Sequence, residues 1–321
     1  MSIVVTGSLA TDHLMVYPGR FADQLIADQL DRVSLSFLAD TLEVRRGGVA
    51  ANIAVGLARL GQSAVVVGAV GRDFGEYEAW LRDVGVDTGG LRYSETLHTA
   101  RFVCTTDADQ NQIATFYAGA MAEASRISLA EVVEGFAGGR PELVLIGPDD
   151  PAAMLRHTEA CRSLGLAFAA DPSQQLARLD GPQTRQLVDG AAYLFTNEYE
   201  SALLRERTGW GTDEVLRHTG AWIVTRGGDG VDVLRDGHEP LHVPAVPTRH
   251  PADPTGVGDA FRAGFLAGTG RGWAYERAAR LGCALATVVL ESVGTQEYQV
   301  TYDQLLDMVD SAYGVAVGNP V

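Results

Sequence analysis

Short apolar runs alternate with stretches of helical periodicity along most of the chain. Six continuous apolar runs are typical of buried strands, at residues 3–6, 64–68, 143–146, 167–170, 193–196 and 222–225. Helical patterns lie between several of them, at residues 48–60, 74–84, 151–164, 182–189 and 198–207. Continuous apolar strands separated by helices predict an α/β fold, in which helices cover both faces of a central, mostly parallel sheet.

Two segments, residues 13–45 and 91–118, break this alternation. Residues 99–106 and 112–117 show strand-like alternation with no helix between them. They predict a small antiparallel β-sheet that stands off the main body as a lid, with an edge extension of the main sheet as the alternative. We therefore expect a large α/β domain and a discontinuous lid domain, formed by residues 1–12, 46–90 and 119–321 and by residues 13–45 and 91–118, respectively.

Polar residues follow several of the predicted strands at their carboxyl ends. They are Gly7 with Ser8, Asp171, Asn197 and Arg226. In open α/β sheets, ligands bind at the carboxyl ends of the strands. We therefore expect these residues to converge on one edge of the sheet.

Composition narrows the chemistry that this edge could support. The chain of 321 residues has a formal net charge of −16, and binding to nucleic acid needs a basic face, so no nucleic-acid partner is expected. The 25 positions that are lysine or arginine are all arginine, which excludes a P-loop lysine, a Schiff-base lysine and a protein-kinase lysine. Arginine, backbone amides and a metal ion would have to neutralise any bound phosphate.

Cysteine usage and hydropathy favour a reducing, aqueous compartment. Cys104, Cys161 and Cys283 are far apart and lack C-x-x-C spacing, so neither a zinc site nor a disulfide framework is predicted. The most apolar runs, near residues 143–147 and 283–290, are too short to span a bilayer, and the N-terminus lacks a signal-peptide pattern. We expect a cytoplasmic protein with no membrane partner.

The most informative motif is Asp-Pro-Thr-Gly-Val-Gly-Asp at residues 253–259. Pro254 cannot lie inside a helix, and Gly256 and Gly258 allow a turn that brings bare amides together at a helix start. Such amides suit a phosphate. A carboxylate gains nothing electrostatically there, so we interpret Asp259 as a base that accepts a proton from an attacking hydroxyl. The alternative is an ordinary helix start with an acid in its first turn.

A second glycine motif, Arg-Gly-Gly-Val-Ala-Ala-Asn, covers residues 46–52. Gly47 and Gly48 permit close approach of a ligand to the backbone, and Asn52 offers both a donor and an acceptor to a polyol. Taken alone, such a motif is most often just a helix start. Its combination with the turn at 253–259 favours the functional interpretation.

Together the two motifs resemble those of the ribokinase-like (PfkB) carbohydrate kinase family, and the resemblance spans nearly the whole chain. Five stretches resemble the bacterial adenosine kinases of the actinobacterial type, at residues 7–13, 34–37, 98–102, 171–178 and 253–259. Pro254 and Val257 depart from residues that are commoner in the wider family. The resemblance implies a ribokinase-like fold and a kinase that transfers the γ-phosphoryl group of ATP to the 5′-hydroxyl of adenosine.

The resemblance also implies roles for individual residues. The catalytic residues would be the base Asp259, the amides of Gly256, Val257 and Gly258 as an anion hole, and Arg178 as a clamp on the phosphates. Polar residues would bind the acceptor, namely Ser8, Asp12, Ser36, Gly48, Asn52, Gln174 and Gln175. Phe102 and Phe116 on the lid strands would stack on a purine. The alternatives are a surface salt bridge for Arg178, a turn or cap for Asp12 and lid packing for the phenylalanines.

By the same resemblance, Asn197 and Glu200 match an N-x-x-E motif that holds water-bound Mg²⁺ and the phosphates. A helix cap with a first-turn acid would produce the same pattern. The loop that accepts ATP would contain Thr225, Arg226, Gly227, Gly228 and Gly230, with Gly258 contributing from the turn, and it could equally form a hairpin turn toward residues 231–234. Ser292 and Gly294 lie where family members often bind a monovalent cation such as K⁺.

Other functions remain open. A sibling kinase for ribose, fructose or another nucleoside would share Asp259 and differ at the lid aromatics. A nucleoside-binding regulator without turnover would not need Asp259, Asn197 or Glu200. A dinucleotide-dependent oxidoreductase is excluded, because residues 7–10 do not supply G-x-G-x-x-G. Exposed edges of the lid sheet would favour pairing with a second subunit, so we expect a homodimer through the lid.

Overall fold

The computed structural model describes residues 2–25, 34–136, 139–248 and 250–314, so residues 26–33 of the expected lid lie outside the described residues. The β-strands are β1 Ser2–Thr6, β2 Ala10–Val16, β3 Thr41–Gly47, β4 Ser63–Val70, β5 Asp87–Tyr93, β6 Ala100–Thr106, β7 Gln112–Tyr117, β8 Leu143–Ile146, β9 Phe168–Ala170, β10 Ala191–Asn197, β11 Thr219–Thr225, β12 Val231–Leu234 and β13 Leu241–Val243. The α-helices are α1 Phe21–Gln24, α2 Val49–Arg59, α3 Gly75–Asp83, α4 Leu129–Glu134, α5 Pro151–Leu164, α6 Gly181–Val188, α7 Glu198–Thr208, α8 Thr212–His218, α9 Val257–Thr269, α10 Tyr275–Leu290 and α11 Tyr302–Tyr313.

Nine strands form the central sheet, in the order β13-β12-β11-β10-β9-β8-β1-β4-β5. Neighbouring strands from β5 through β11 are parallel, whereas β12 and β13 add an antiparallel edge. The six strands and five helices that we predicted are all present, with ends that differ by a few residues. The prediction of a mostly parallel α/β sheet is confirmed.

Helices cover both faces of this sheet, which explains why its strands are continuously apolar. Alternate side chains of a strand point to opposite faces. In β1, Ile3 and Val5 pack with α2, α9 and α10, whereas Val4 packs on the other face with α5, α6 and α7. All three side chains are fully buried. No helix among the described residues is long and apolar enough to cross a membrane.

A second sheet of four strands, in the order β3-β2-β6-β7, is separate from the first. Strands β2 and β3, and β6 and β7, pair antiparallel, while β2 and β6 pair in parallel. This arrangement confirms the small lid sheet and rules out the edge extension. Strand β2 begins at Ala10 and the main-sheet strand β5 runs to Tyr93, so strands cross the expected boundaries at residues 13 and 91 by a few residues. The division into two domains stays a prediction.

Candidate active site

A cavity of about 340 Å³ lies between the lid sheet and the carboxyl edge of the central sheet. Ten residues singled out in the sequence line it, namely Ser8, Asp12, Gly48, Asn52, Phe102, Phe116, Gln174, Gln175, Gly256 and Asp259. Met121, Thr255 and Thr295 also line the cavity and were not predicted. The two glycine motifs therefore meet at one site, as their combination suggested.

The floor of this cavity is the turn that starts α9. Gly256 has a φ of 75° and immediately precedes the helix. A Cβ there would lie 2.8 Å from Cγ2 of Thr295, so both the left-handed backbone and the close approach require glycine. The carboxylate of Asp253 accepts hydrogen bonds from the amides of Thr255 at 2.9 Å and Gly294 at 3.2 Å. The first amides of a helix lack intrahelical acceptors, so this fixed turn offers donors to an anion.

Asp259 lies in the first turn of α9 and borders the cavity. Nδ2 of Asn52, on α2, donates to its Oδ2 at 2.8 Å. Burial raises the pKa of Asp259 to about 7, while the hydrogen bond from Asn52 and the charge of Arg262 limit the rise. A carboxyl group with a pKa near neutrality is suited to accepting a proton from a hydroxyl at physiological pH.

Beneath this turn lies a buried ion pair between Arg262 and Asp171 that the sequence analysis missed. The guanidinium lies within 2.7 Å and 2.5 Å of the two carboxylate oxygens, and Nη1 also donates to the carbonyl of Gly258 at 3.0 Å. Asp171 is fully buried and Arg262 almost so. The charged Arg262 within a helix of small and apolar residues was the available signal, because a buried arginine needs an acidic partner.

Asp12 lies within β2, opposite Arg45 of β3 and Phe102 of β6. It is therefore neither a turn residue nor a helix cap. Burial raises the pKa of Asp12 to about 6, against the lowering effect of Arg45. Its carboxylate would lie 3.0 Å from a Cβ on Gly47, so this glycine of the second motif makes room for the acid.

Phe102 and Phe116 are register partners in the antiparallel pair of β6 and β7. Opposed residues of such a pair share one face of the sheet, and both rings line the cavity. Phe116 is 52% exposed, and neither ring stacks on an aromatic ring of the described residues. Both rings border the cavity without an aromatic partner, so each can contact a ligand bound there.

Gln174 and Gln175 reach the cavity from a 3₁₀ turn that follows β9. Ser173 has a φ of 46°, which is uncommon for a residue other than glycine. Gln175 is 5% exposed, and its Oε1 has no hydrogen-bond partner among the described residues. A buried amide oxygen at a cavity wall is satisfied when a ligand donates to it.

Among the residues predicted to bind the acceptor or to clamp the phosphates, Ser36 and Arg178 do not line the cavity, and neither do Val257 and Gly258 of the predicted anion hole. Ser36 is exposed, in a segment of the lid region without regular secondary structure. Arg178 is also exposed at the end of the 3₁₀ turn, and it makes no side-chain hydrogen bond or ion pair with any described residue. The salt bridge that we considered for Arg178 is therefore not formed with the described part of the chain.

Asn197 and Glu200 lie where β10 ends and α7 begins. They form a reciprocal capping box, in which Oδ1 of Asn197 accepts from the amide of Glu200 and Oε2 of Glu200 accepts from the amide of Asn197, both at 2.8 Å. These two residues therefore form the helix cap that we considered as the alternative. Burial raises the pKa of Glu200, and Asp171 and Arg262 act on it electrostatically, so this corner and Asp259 share neighbours.

No cluster of three His, Cys, Asp or Glu side chains suited to a metal ion occurs among the residues that the structure describes. Mg²⁺ retains much of its water and needs few protein ligands. The remaining lone pairs of Glu200, which is half-buried and interacts electrostatically with Asp171 and Arg262, fit a site that holds the ion through water.

Residues 225–230 form the hairpin turn between β11 and β12, as the alternative reading proposed. The amide of Arg226 donates to the carbonyl of Gly230 at 2.8 Å, and Gly230 has a φ of 99°. The side chain of Arg226 pairs with Asp232 at 2.9 Å and Glu198 at 3.1 Å. Thr225 ends β11, while Gly227 and Gly228 are exposed at the tip of the turn.

Ser292 and Gly294 follow the end of α10. Gly294 donates to the carboxylate of Asp253, whereas the hydroxyl of Ser292 donates to the carbonyl of Val288 at 2.9 Å. Asp253 also receives a hydrogen bond from the lid residue Arg45 at 3.2 Å. This lid-to-turn contact was not predicted, because nothing in the local pattern connects Arg45 with residue 253.

Known proteins are similar to this one in sequence and in fold. The model of the pfkB family carbohydrate kinases matches residues 5–301. A nucleoside kinase from Methanothermobacter thermautotrophicus is 33% identical over 254 residues, covering 78% of this chain and 80% of its own. The structure of a Burkholderia thailandensis nucleoside kinase in complex with inosine has a TM-score of 0.84 at 32% identity, covering 98% of this chain and 99% of that one. Its complex with ADP-inosine has a TM-score of 0.83 at 32% identity, covering 98% and 97% of the chains.

These similarities agree with the geometry of the cavity. The fold is the ribokinase-like one, with a central sheet, a small lid sheet and surrounding helices. The family match extends from β1 to the residue before α11. Because the match covers nearly the whole chain, this protein belongs to the pfkB family of carbohydrate kinases and is a phosphotransferase.

Proposed function

We propose that this protein is an ATP-dependent nucleoside kinase that phosphorylates the 5′-hydroxyl of adenosine, giving AMP and ADP in purine salvage. One observation carries the proposal: a single cavity is bordered by Asp259 on its floor and by the paired rings of Phe102 and Phe116 on its lid. A nucleoside would use both ends of this cavity, since its hydroxyl needs a base and its purine a stacking surface. A free sugar would leave the aromatic end without a partner.

The acceptor would be held by complementary polar groups. An ionised Asp12 can accept hydrogen bonds from two ribose hydroxyls, and Ser8, Gly48 and Asn52 line the same wall. The unpartnered Oε1 of Gln175 suits the exocyclic amine of adenine, which donates hydrogen bonds. Inosine has no such amine, although the B. thailandensis enzyme binds it. This amine is our reason for choosing adenosine over inosine.

Catalysis in this proposal combines positioning with electrostatics. Asp259 accepts the proton of the 5′-hydroxyl while the hydroxyl oxygen forms a bond to the γ-phosphorus of ATP. The bond from that phosphorus to the bridging oxygen breaks, and ADP leaves. Amides of Gly256, Val257 and Gly258 would stabilise the charge on the transferred group. The exposed guanidinium of Arg178, free of described partners, is available to pair with the phosphates.

The donor side of the site rests on the family resemblance. ATP would lie along Thr225, Arg226, Gly227, Gly228 and Gly230. Asn197 and Glu200 would hold Mg²⁺ through its water ligands, and the bound ion would offset phosphate charge. A monovalent cation such as K⁺ near Ser292 and Gly294 would share the carboxylate of Asp253 with Arg45.

We propose a cytoplasmic homodimer that associates through its lid. ATP and nucleosides are intracellular substrates, and the three cysteines are free and buried. The outer face of the lid sheet exposes apolar residues, among them Leu42, Val44 and Ile113. Exposed apolar surface of this kind is typical of an interface.

The proposal is tested by ADP release with ATP and Mg²⁺ across adenosine, guanosine, inosine, ribose and fructose. Turnover that is fastest with adenosine, and that stops when EDTA removes the metal, is the expected result. Preference for a free sugar would support the sibling-kinase alternative and contradict the assigned roles of the lid aromatics. Tight nucleoside binding without any ADP release would instead support the regulator.

Replacement of the base is the sharpest variant. Asp259→Asn keeps the shape and a hydrogen-bonding side chain but cannot accept the proton, so kcat should fall by about a hundredfold to ten-thousandfold. Asp83→Asn, at the exposed end of α3, is the matched control. Steady-state kinetics with adenosine measures both, and near-normal turnover by Asp259→Asn would remove this residue from the mechanism.

A further inference from the structure

The side-chain oxygen of Asn52 faces away from Asp259 and is held by two donors. Nε2 of Gln296 donates to Oδ1 of Asn52 at 2.9 Å, and the hydroxyl of Thr295 lies 2.8 Å from the same oxygen. The hydroxyl of Thr295 has only one proton, and it has a second possible acceptor in the carbonyl of Arg46 at 3.1 Å. The amide nitrogen of Gln296 has two protons for its two acceptors, Asn52 and the hydroxyl of Tyr77. Gln296 is therefore the donor that can hold Asn52 without giving up another partner.

The orientation of Gln296 is itself fixed from three sides. Nε1 of Trp80 donates to its Oε1 at 3.1 Å, which leaves Nε2 facing Asn52. Arg59 donates to the backbone carbonyl of Gln296 at 2.9 Å. The side chain is fully buried, and Tyr77 continues the chain of hydrogen bonds to the carbonyl of Gly47 at 2.8 Å.

Rotating the Asn52 amide by half a turn would create two repulsive contacts. Its NH₂ group would face the NH₂ group of Gln296, donor against donor. Its oxygen would face the carboxylate of Asp259, acceptor against acceptor. The fixed amide of Gln296 therefore selects the single orientation in which Asn52 donates to Asp259.

We propose that Gln296 is a positioning residue for phosphoryl transfer, because it holds Asn52 in the orientation that donates a hydrogen bond to Asp259. This inference rests on the proposed role of Asp259 as the base. Gln296 itself does not line the cavity, so its effect on the reaction is transmitted through Asn52. No ligand, metal or second subunit is needed for the contact.

Changing Gln296 should alter the pH dependence of the reaction, because Asn52 contacts Asp259. Asp259 is surrounded by Asn52 from α2, by Arg262 from its own helix and by Asp171 from the end of β9. Arg262 and Asp171 do not contact Gln296, so their influence stays constant when Gln296 is changed. The hydrogen bond from Asn52 lowers the pKa of Asp259, and its loss would leave the base protonated at higher pH.

Two substitutions separate the loss of the hydrogen bond between Gln296 and Asn52 from the effect of an added charge. Gln296→Met removes the donor while keeping a side chain of similar size and no charge. Gln296→Glu presents an acceptor to Asn52, which we expect to rotate so that its oxygen faces Asp259. The control is Gln62→Glu, which also puts a carboxyl group at a buried glutamine but has no contact with Asn52.

The measurement is kcat and KM for adenosine between pH 5 and pH 9. For Gln296→Met we expect the acid limb of kcat to move up by about half a pH unit, and for Gln296→Glu by about one unit, which is a tenfold loss well below the limb. Activity at pH 9 should recover to within about threefold of the unchanged protein, since the base is then ionised in both. KM for ATP should not change, and Gln62→Glu should keep the original limb.

Carbon-13 NMR can follow the titration of the Asp259 carboxyl group directly, and the signal is identified because it is absent from Asp259→Asn. The pKa of Asp259 should rise in the Gln296 variants by the same amounts, in the absence of any turnover. If Gln296→Met does not fold, Trp80→Phe replaces it, because it removes the donor that fixes the Gln296 amide. An unchanged acid limb, or an equal loss of activity at every pH, would overturn the inference. If Asp259→Asn remains active, the role of Asp259 as the base fails, whatever the Gln296 variants do. The proposed function itself fails only if the unchanged protein releases no ADP with adenosine, so the two failures are distinguishable.

Discussion

Individual aspartates of this protein show how far the surroundings shift the pKa of a carboxyl group. Burial raises the pKa of Asp149 to about 8 and that of Asp259 to about 7. Burial alone would also raise the pKa of Asp73, but hydrogen bonds from Thr99 and Arg101 lower it to about 2. Asp73 accepts three such bonds, whereas Asp149 has one oxygen without a partner among the described residues. Burial and the number of donors together therefore set the pKa of each carboxyl group.

Asp149, which is buried with one oxygen unpartnered among the described residues, should make stability depend on pH. The folded protein retains this proton between pH 3.8 and about 8, whereas the unfolded chain releases it, so the contribution to stability is lost as pH rises through that window. Asp149→Asn cannot ionise. We expect its free energy of unfolding, relative to the unchanged protein, to rise by at least about 1 kcal/mol from pH 5 to pH 8. Urea unfolding at both pH values measures this, and an equal difference at both would contradict it.

Phe102 should contribute to nucleoside binding rather than to lid packing alone. Stacking between a base and an aromatic ring is worth about 1–3 kcal/mol, so Phe102→Ala should raise KM for adenosine about tenfold or more and leave KM for ATP unchanged. Phe37→Ala is the control, because Phe37 packs on Tyr17 and Phe21 and does not line the cavity. Equal increases in both KM values would assign Phe102 to packing.

At the scale of elements, the ion pair of Asp171 and Arg262 joins β9 to α9. Arg262 lies one turn into α9 and also holds the carbonyl of Gly258, so the pair fixes the first turn of the helix against the sheet edge. Removing one partner leaves a buried charge without compensation, which costs far more than loss of an exposed pair.

We therefore expect Arg262→Met to lower the free energy of unfolding by about 3–5 kcal/mol. Adding Asp171→Leu should recover a large part of this loss, because the double variant buries no charge at this position. Arg217→Met removes an exposed partner of Glu214 and should lower the free energy of unfolding far less than Arg262→Met does. Urea denaturation of the four proteins gives the comparison, and a double variant that is no more stable than Arg262→Met would argue against the pair.

At the scale of the whole molecule, the lid is held to the body and exposes an apolar outer face. Arg45 bonds to Asp253, and Arg101 on β6 pairs with Asp73 at 2.6 Å. Leu42 and Val44 alternate with charged residues on β3, and Val44 is 55% exposed. Apolar residues this exposed on a sheet with open edges favour association with a second copy.

A substitution on that face tests the proposed dimer. The unchanged protein should have twice the mass of one chain in light scattering, and Val44→Glu should reduce it to a single chain because burying a carboxylate opposes association. Tyr199→Ser, at an exposed position of α7 on the main body, should leave the mass unchanged. A single-chain mass for the unchanged protein at high concentration would rule out the dimer.

Much of the fold was predictable from local pattern. A continuous apolar run such as 143–146 indicates a strand that is buried on both faces. Gly256 in the turn at 253–259 indicates a backbone position with a positive φ. Parallel strands present their carboxyl ends at one edge, which is why Ser8, which follows β1, could be expected to reach a cavity at that edge.

What the sequence by itself determined was the α/β architecture, the lid strands, both glycine turns and most of the cavity wall. Only the tertiary structure decided that Gln296 holds Asn52, that Arg262 pairs with Asp171, and that Ser36 and Arg178 lie outside the wall. Secondary structure follows from neighbours a few residues apart, and periodicity records it. The orientation of an amide or the partner of a buried charge depends on residues 244 and 91 positions away, which meet only when the helices have packed on the sheet.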